Sequence, residues 1–138
     1  MLEVRRQHWL EMLAESWAQY PLEGCGLLIG EPGGDRVVRF VPIRNEAESA
    51  RIYRLDGAEY SRAALQADKD DLDIIGVMHS HTHTAAYPSP TDVAEASKPL
   101  MPPNWHWVIV SLGWGHPELH SYKIVDGGIA EEPVRLAQ

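Results

Sequence analysis

The chain opens on an amphipathic segment. From Arg5 onward Trp9, Leu10, Leu13 and Trp17 recur at near-helical spacing, with Leu2 and Val4 ahead of them, while Arg6, Glu11 and Glu15 fall on the other side. That period predicts one helix ending near Tyr20. Pro21 then forces its predecessor toward extended backbone. The apolar run Cys25–Gly30 predicts a short buried strand, closed by a turn over 31–35 that holds Pro32, Gly33 and Gly34. Val37–Ile43 predicts a second strand, paired with the first as a hairpin. The polar residues 45–51 read as a loop, 52–56 as a short strand, and Gly57–Lys69 as a helix.

The next apolar run, Ile74, Ile75, Val77 and Met78, is nearly continuous, as in strands covered on both faces, and it predicts the central strand over 73–79. A short helix follows over Asp92–Ser97, then a proline-rich break at 99–103. Three more strands are predicted at 105–110, 119–124 and 128–134, separated by turns containing glycine. There is no internal repeat, low-complexity tract or linker. The expected architecture is α+β, with helices flanking a mostly antiparallel sheet in a single domain over 1–138.

Composition narrows the function more than the fold. The 138 residues, 44% hydrophobic and 23% charged, are enough for a core without staples. Twelve basic against twenty acidic residues give a net charge of −8, and only three of the basic residues are lysines. Nucleic acid and anionic membrane surfaces, which call for a basic face, are excluded as main partners. The charge run over 68–73 reads as a solvated loop. A single cysteine, Cys25, permits no internal disulfide, and in an apolar strand it reads as a buried structural thiol. No apolar run approaches the roughly 18 residues of a spanning helix, and the N-terminus lacks the apolar centre of a signal peptide. The expected location is the cytoplasm.

The chemistry concentrates at the end of the central strand. His79 and His81 are two apart, so strand alternation puts both imidazoles on one face with Cα atoms about 7 Å apart. The pair is either a metal-ligand pair or a chance HxH in a chain with seven histidines. Ser89, Pro90, Thr91 and Asp92 read as a helix start, with serine as N-cap, proline at the first helical position and an acid at the third. A capping box accounts for Ser89 and Asp92 without any metal, but capping and ligation can coexist. Two imidazoles and a carboxylate would be three protein ligands, leaving a fourth position for water as catalytic zinc sites do. A structural zinc would close its tetrahedron, usually with thiolates, and the lone cysteine is remote.

The stretch HSHTHTAAYPSPTD over 79–92 resembles the JAMM signature of the MPN metalloprotease family, His-x-His followed after seven residues by Ser-x-x-Asp. The glutamate that this family places upstream matches Glu23. The resemblance extends to Tyr53–Asp56, to the lead-in at 86–89 and to the closing 121–127, and so spans nearly the whole chain. It is nearest to short bacterial sulfur-carrier-protein cysteine hydrolases. The resemblance implies the cytidine-deaminase-like fold of that family, Zn2+ held by His79, His81 and Asp92, Glu23 as general base, and Ser89 as donor to the oxyanion. It also implies a substrate: the C-terminal glycine of a small ubiquitin-like sulfur carrier, from which cysteine is released. The carrier's tail is expected to add to a sheet edge near the metal.

Two departures stand out: Thr82 occupies a position where many members have proline, and His83 adds a histidine, read as a loop residue or an accessory ligand. His106, His116 and His120 read as surface or structural, and Met78, Trp105 and Trp107 as packing. Cleavage of isopeptide bonds to ubiquitin-like proteins is the nearest alternative activity, and a metal-free MPN scaffold is an alternative of another class. A cupin barrel, which also uses HxH, would place a glutamate soon after the pair, where this chain has Thr82 to Tyr87.

Overall fold

The computed structural model describes residues 1–138. In chain order the elements are β1 (Leu2–Arg5), α1 (Arg6–Gln19), β2 (Cys25–Gly30), β3 (Arg39–Ile43), α2 (Gly57–Lys69), β4 (Asp73–His81), α3 (Pro90–Ala96), β5 (His106–Ser111), β6 (Glu118–Val125), β7 (Gly128–Glu132) and β8 (Val134–Ala137). Six strands form one sheet in the order β3-β2-β4-β5-β6-β7. Every neighbouring pair in it is antiparallel except β4–β5. The expected α+β architecture is present, and β4 is central with partners on both edges.

Two apolar clusters cover the two faces of the sheet. Ile74, Val77, Trp105, Trp107, Ile109 and Tyr122 meet Ala67 of α2 and Ala96 of α3 on one face. On the other, Met78, Val108 and Val110 meet Leu2 and Val4 of β1 and Met12 of α1. The second face also carries a two-strand parallel ribbon, β1 with β8, that hydrophobic patterning does not announce.

A bulge sets the face on which the histidines lie. Leu28 pairs with Gly76 and Ile29 with Ile74, so Ile75 is an extra residue with no partner on β2. After it, alternation puts Val77, His79 and His81 on the face of α2 and α3, and Met78 and Ser80 on the face of α1. Gly76 lies beside the bulge because a Cβ there would run into the carbonyl of His106 on β5.

Two expectations need correction. The buried stripe of α1 is His8, Met12 and Ser16, whereas Leu10 and Trp17 are more than half exposed. Close approach explains this, because a Cβ on Gly24 would lie 3.4 Å from the Cα of Ser16. Ser16 is fully buried, and its hydroxyl is satisfied by donating to Met12 O at 2.8 Å. Residues 52–56 form no strand and make a single bridge, Asn45 with Leu55. The Asn45 side chain donates to Glu23 O and Ile52 O and accepts from Ala47 N and Arg54 N, drawing this segment over the histidines. No helix is long and apolar enough to cross a membrane.

Candidate metal centre

His79 and His81 leave the end of β4 with their imidazoles turned to the start of α3. That start is fixed by a complete capping box: Ser89 Oγ accepts from Asp92 N at 3.1 Å, and Asp92 Oδ2 accepts from Ser89 N at 2.9 Å. The same Oδ2 faces the histidines. His79 Nε2, His81 Nε2 and Asp92 Oδ2 form a triangle with all three sides 3.1 Å. Capping and convergence on the histidines thus coexist, and on one oxygen.

All three side chains are buried. His81 Nδ1 donates to Ala85 O at 2.7 Å, which fixes its tautomer and leaves Nε2 as a lone pair aimed into the triangle. A lone pair facing a carboxylate calls for a cation between them. The proton affinities express the same demand. Burial works against charge on Asp92, yet hydrogen bonding to His79 and His81 holds its carboxyl well below the usual range. Burial also works against a charged His81, but the bond to Asp92 and the Ala85 carbonyl carry it upward. His79, wholly buried, is pushed down by desolvation. Zinc bonded to nitrogen and oxygen at about 2.0–2.2 Å in a tetrahedron needs donor separations of about 3.3–3.6 Å. The triangle needs only a slight opening to fit.

Glu23 precedes β2, and its position is set by the β2–β4 pairing. Cys25 pairs with His79, Gly24 N donates to Ser80 Oγ at 2.8 Å, and Ser80 N donates to Gly24 O at 2.9 Å. Glu23 is 3% exposed, and its Oε1 is buried with no hydrogen-bond partner. Burial raises its pKa to about 8, with His81 pulling it down and Asp92 pushing it up, so it stands within electrostatic reach of both. A buried carboxyl with a free oxygen beside a three-donor group can take a proton from a water or hand one to a nitrogen.

The sequence-predicted residues therefore divide cleanly. His79, His81 and Asp92 converge, Ser89 caps the helix carrying Asp92, and Glu23 lies alongside. His83 is exposed, meets Tyr20 edge-on at 5.8 Å, and is not one of the converging donors. Cys25 is buried, donates to Ile43 O, and burial pushes its thiol up to about 12. Three neighbours have no site role in the sequence analysis: Ser80, Asn45 and Tyr53, which enters it only within the resemblance at 53–56 and whose ring stacks on His79 at 4.4 Å with an 18° tilt. Alternation could have placed Ser80 opposite the histidines, but no local signal marks the other two.

Beside the centre runs a cleft of about 590 Å3, lined by Tyr53, Tyr60, Val77, Met101, Trp105 and Trp107 among others. The indole N–H of the buried Trp107 has no partner. The edges of the sheet are β3 and β7, and one strand, β2, lies between β4 and the nearer of them.

Known proteins share this arrangement of chain. A Mycobacterium tuberculosis protein named CysO-cysteine peptidase is 41% identical over 140 residues, which is 100% of this chain and 92% of that one. A Pyrococcus furiosus desampylase is 31% identical over 87 residues, 63% of this chain and 61% of its own length. The solution structure of a Desulfitobacterium hafniense protein superposes with a TM-score of 0.87 at 30% identity, covering 100% of this chain and 94% of that one. Residues 5–125, which include Glu23, both histidines, Ser89 and Asp92, match the prokaryotic homologs of the JAB domain, and the chain belongs to that family.

Proposed function

We propose that this chain is a zinc-dependent peptidase that hydrolyses the amide bond at the C-terminal glycine of a small ubiquitin-like sulfur carrier and releases cysteine, with 1–138 acting as one catalytic domain. The observation that carries the reading is the open triangle of His79, His81 and Asp92 beside a buried carboxyl with a free oxygen. The mycobacterial relative, named for a CysO-cysteine bond and similar over all of this chain, supports the substrate class. A cytoplasmic setting belongs to the same proposal and is consistent with the single, unpaired Cys25.

Zinc held by His79, His81 and Asp92 would supply Lewis acidity, polarising the scissile carbonyl and making hydroxide available near pH ~7. Glu23 accepts the proton of the attacking water on its free Oε1 and returns it to the leaving nitrogen, a task suited to a carboxyl whose proton affinity lies near neutrality. Ser89 uses an oxygen lone pair for Asp92 N and keeps its own proton, so its hydroxyl can donate to the developing oxyanion while it caps α3. One such donor is worth about 3 kcal/mol. The carrier's extended tail lies in the cleft along Tyr53 and Val77.

The test is incubation with a carrier bearing a C-terminal cysteine, comparing wild type with Glu23→Gln. Cysteine release should fall at least ~100-fold in the variant with zinc content unchanged. Retained cleavage would remove Glu23 from its role. The desampylase relative supports a second arm: if an isopeptide-linked carrier conjugate is cut faster than the cysteine adduct, the activity is that of a deconjugating isopeptidase.

A further inference from the structure

The two histidines of the centre are held in different ways. His81 is oriented by a hydrogen bond, Nδ1 to Ala85 O at 2.7 Å. His79 has no such bond: its Nδ1 is buried and has no partner at all. An imidazole that presents Nε2 to a metal carries its proton on Nδ1, and in metal sites that N–H is ordinarily given to a carbonyl or carboxylate that fixes the ring. His79 lacks this, yet its ring lies almost parallel to that of Tyr53, at 4.4 Å and 18°.

We infer that Tyr53 is the positioning residue for His79, fixing by ring stacking an imidazole whose Nδ1 no hydrogen bond holds. The inference rests on the metal-binding part of the function proposed above. An imidazole that gives its Nε2 lone pair to a cation becomes electron-poor, and the face of a phenol ring attracts an electron-poor partner. The stack therefore favours His79 most in its ligating state. Tyr53 can reach over the histidine because Asn45 ties down the segment around it, bonding both Ile52 O and Arg54 N. The same ring lines the cleft, so one side chain is both a wall of the cleft and a support of the centre.

Three variants separate stacking from packing. Tyr53→Phe keeps the ring, Tyr53→Leu keeps bulk without it, and Leu55→Ala removes a neighbouring side chain from the core while the Asn45 bonds that hold Tyr53 in place remain. Zinc affinity is measured by competition with a chromophoric chelator, and ligand geometry by the visible absorption of the cobalt-substituted protein. Tyr53→Phe should stay within about threefold of wild type, whereas Tyr53→Leu should bind zinc at least ~10-fold more weakly and shift the cobalt bands. Leu55→Ala should lower the melting temperature while leaving affinity and spectrum as in wild type. Equal affinity and spectrum in Tyr53→Leu and wild type would overturn the inference, as would an equal loss in Leu55→Ala. Failure of the wild type to bind zinc would instead overturn the proposed function.

Discussion

Two buried imidazole–carboxylate clusters sit along β4 and β5, and they differ in what they leave unspent. His106 lies opposite Gly76 and shares Glu132 with Ser121: Glu132 Oε1 is 2.5 Å from His106 Nδ1 and accepts from Ser121 Oγ at 2.6 Å. The other imidazole nitrogen is 3.2 Å from Asp35 Oδ1, and Glu132 Oε2 lies 3.4 Å from the Met1 amine. Glu132 Oε2 has no hydrogen-bond partner, but both ring nitrogens of His106 and Glu132 Oε1 are engaged. At the end of β4, by contrast, three donors aim at one another across 3.1 Å, while Glu23 Oε1 and His79 Nδ1 have no partner. Leaving buried polar atoms unpaired costs about 1–3 kcal/mol each. Unpaired atoms on both an imidazole and a carboxyl, around donors that face one another, suit a site for something that arrives, whereas the His106 cluster, with both ring nitrogens engaged, holds the fold.

Asp92→Asn tests that difference most severely. Asparagine keeps the shape and can still cap α3, but removes the charge at the centre. Zinc affinity should fall more than ~100-fold, beyond what outer partners of ligands are worth, and turnover with it. Chelation should destabilise wild type by about 4 kcal/mol when zinc had been present at ~1,000 times its dissociation constant, and leave the melting temperature of the variant unmoved. A wild type whose melting temperature ignores chelation would put the two clusters in the same class.

The contrast also marks what could be read from the chain alone. His79 and His81 could be assigned to one face because alternation needs only local sequence. The face itself was set by the unpaired Ile75, and a bulge has no signature in an unbroken apolar run. Asp92 and Ser89 were legible as a helix start because capping is local chemistry. Glu23 became a site residue only through resemblance, since its place depends on Gly24 bonding Ser80 across 56 residues. Tyr53 likewise entered only within the resemblance, with no role beside His79, for a related reason. Its segment has strand-like residues but follows Asn45, whose four hydrogen bonds override that preference. The stripe of α1 failed because a close approach at Gly24 selects for size, whereas periodicity reports only polarity.

Glu132→Gln probes the closed cluster with a smaller effect. Burial opposes ionisation of Glu132, but hydrogen bonds from His106 and Ser121 outweigh it and bring the carboxyl down to about 2 from an ordinary 4.5. A depressed folded-state pKa means that the unfolded chain binds the proton more readily. The stabilisation is therefore complete above pH 4.5 and is lost as pH falls toward 2. The variant should be less stable by about 2 kcal/mol at neutral pH, with the gap to wild type narrowing at pH ~3. Urea midpoints, taken with chelator present so that metal loss does not intrude, would show it. Zinc affinity should be unchanged, and a drop would mean that the clusters are coupled through the sheet.

The smallest effect separates capping from the centre. Asp56 caps α2 as Ser89 caps α3, its Oδ2 accepting from Glu59 N at 3.0 Å. Asp56→Ala should cost about 1 kcal/mol, the ordinary loss for a cap, and leave zinc affinity and cysteine release as in wild type. The two helices pack on the same face of the sheet, so the difference lies in what each first turn carries: the Glu59 carboxylate accepts from Arg44 N, whereas Asp92 turns its own toward the histidines. If Asp56→Ala instead weakened zinc, the start of α2 would have to be counted among the supports of the centre, acting through the 52–56 segment that joins it to Tyr53.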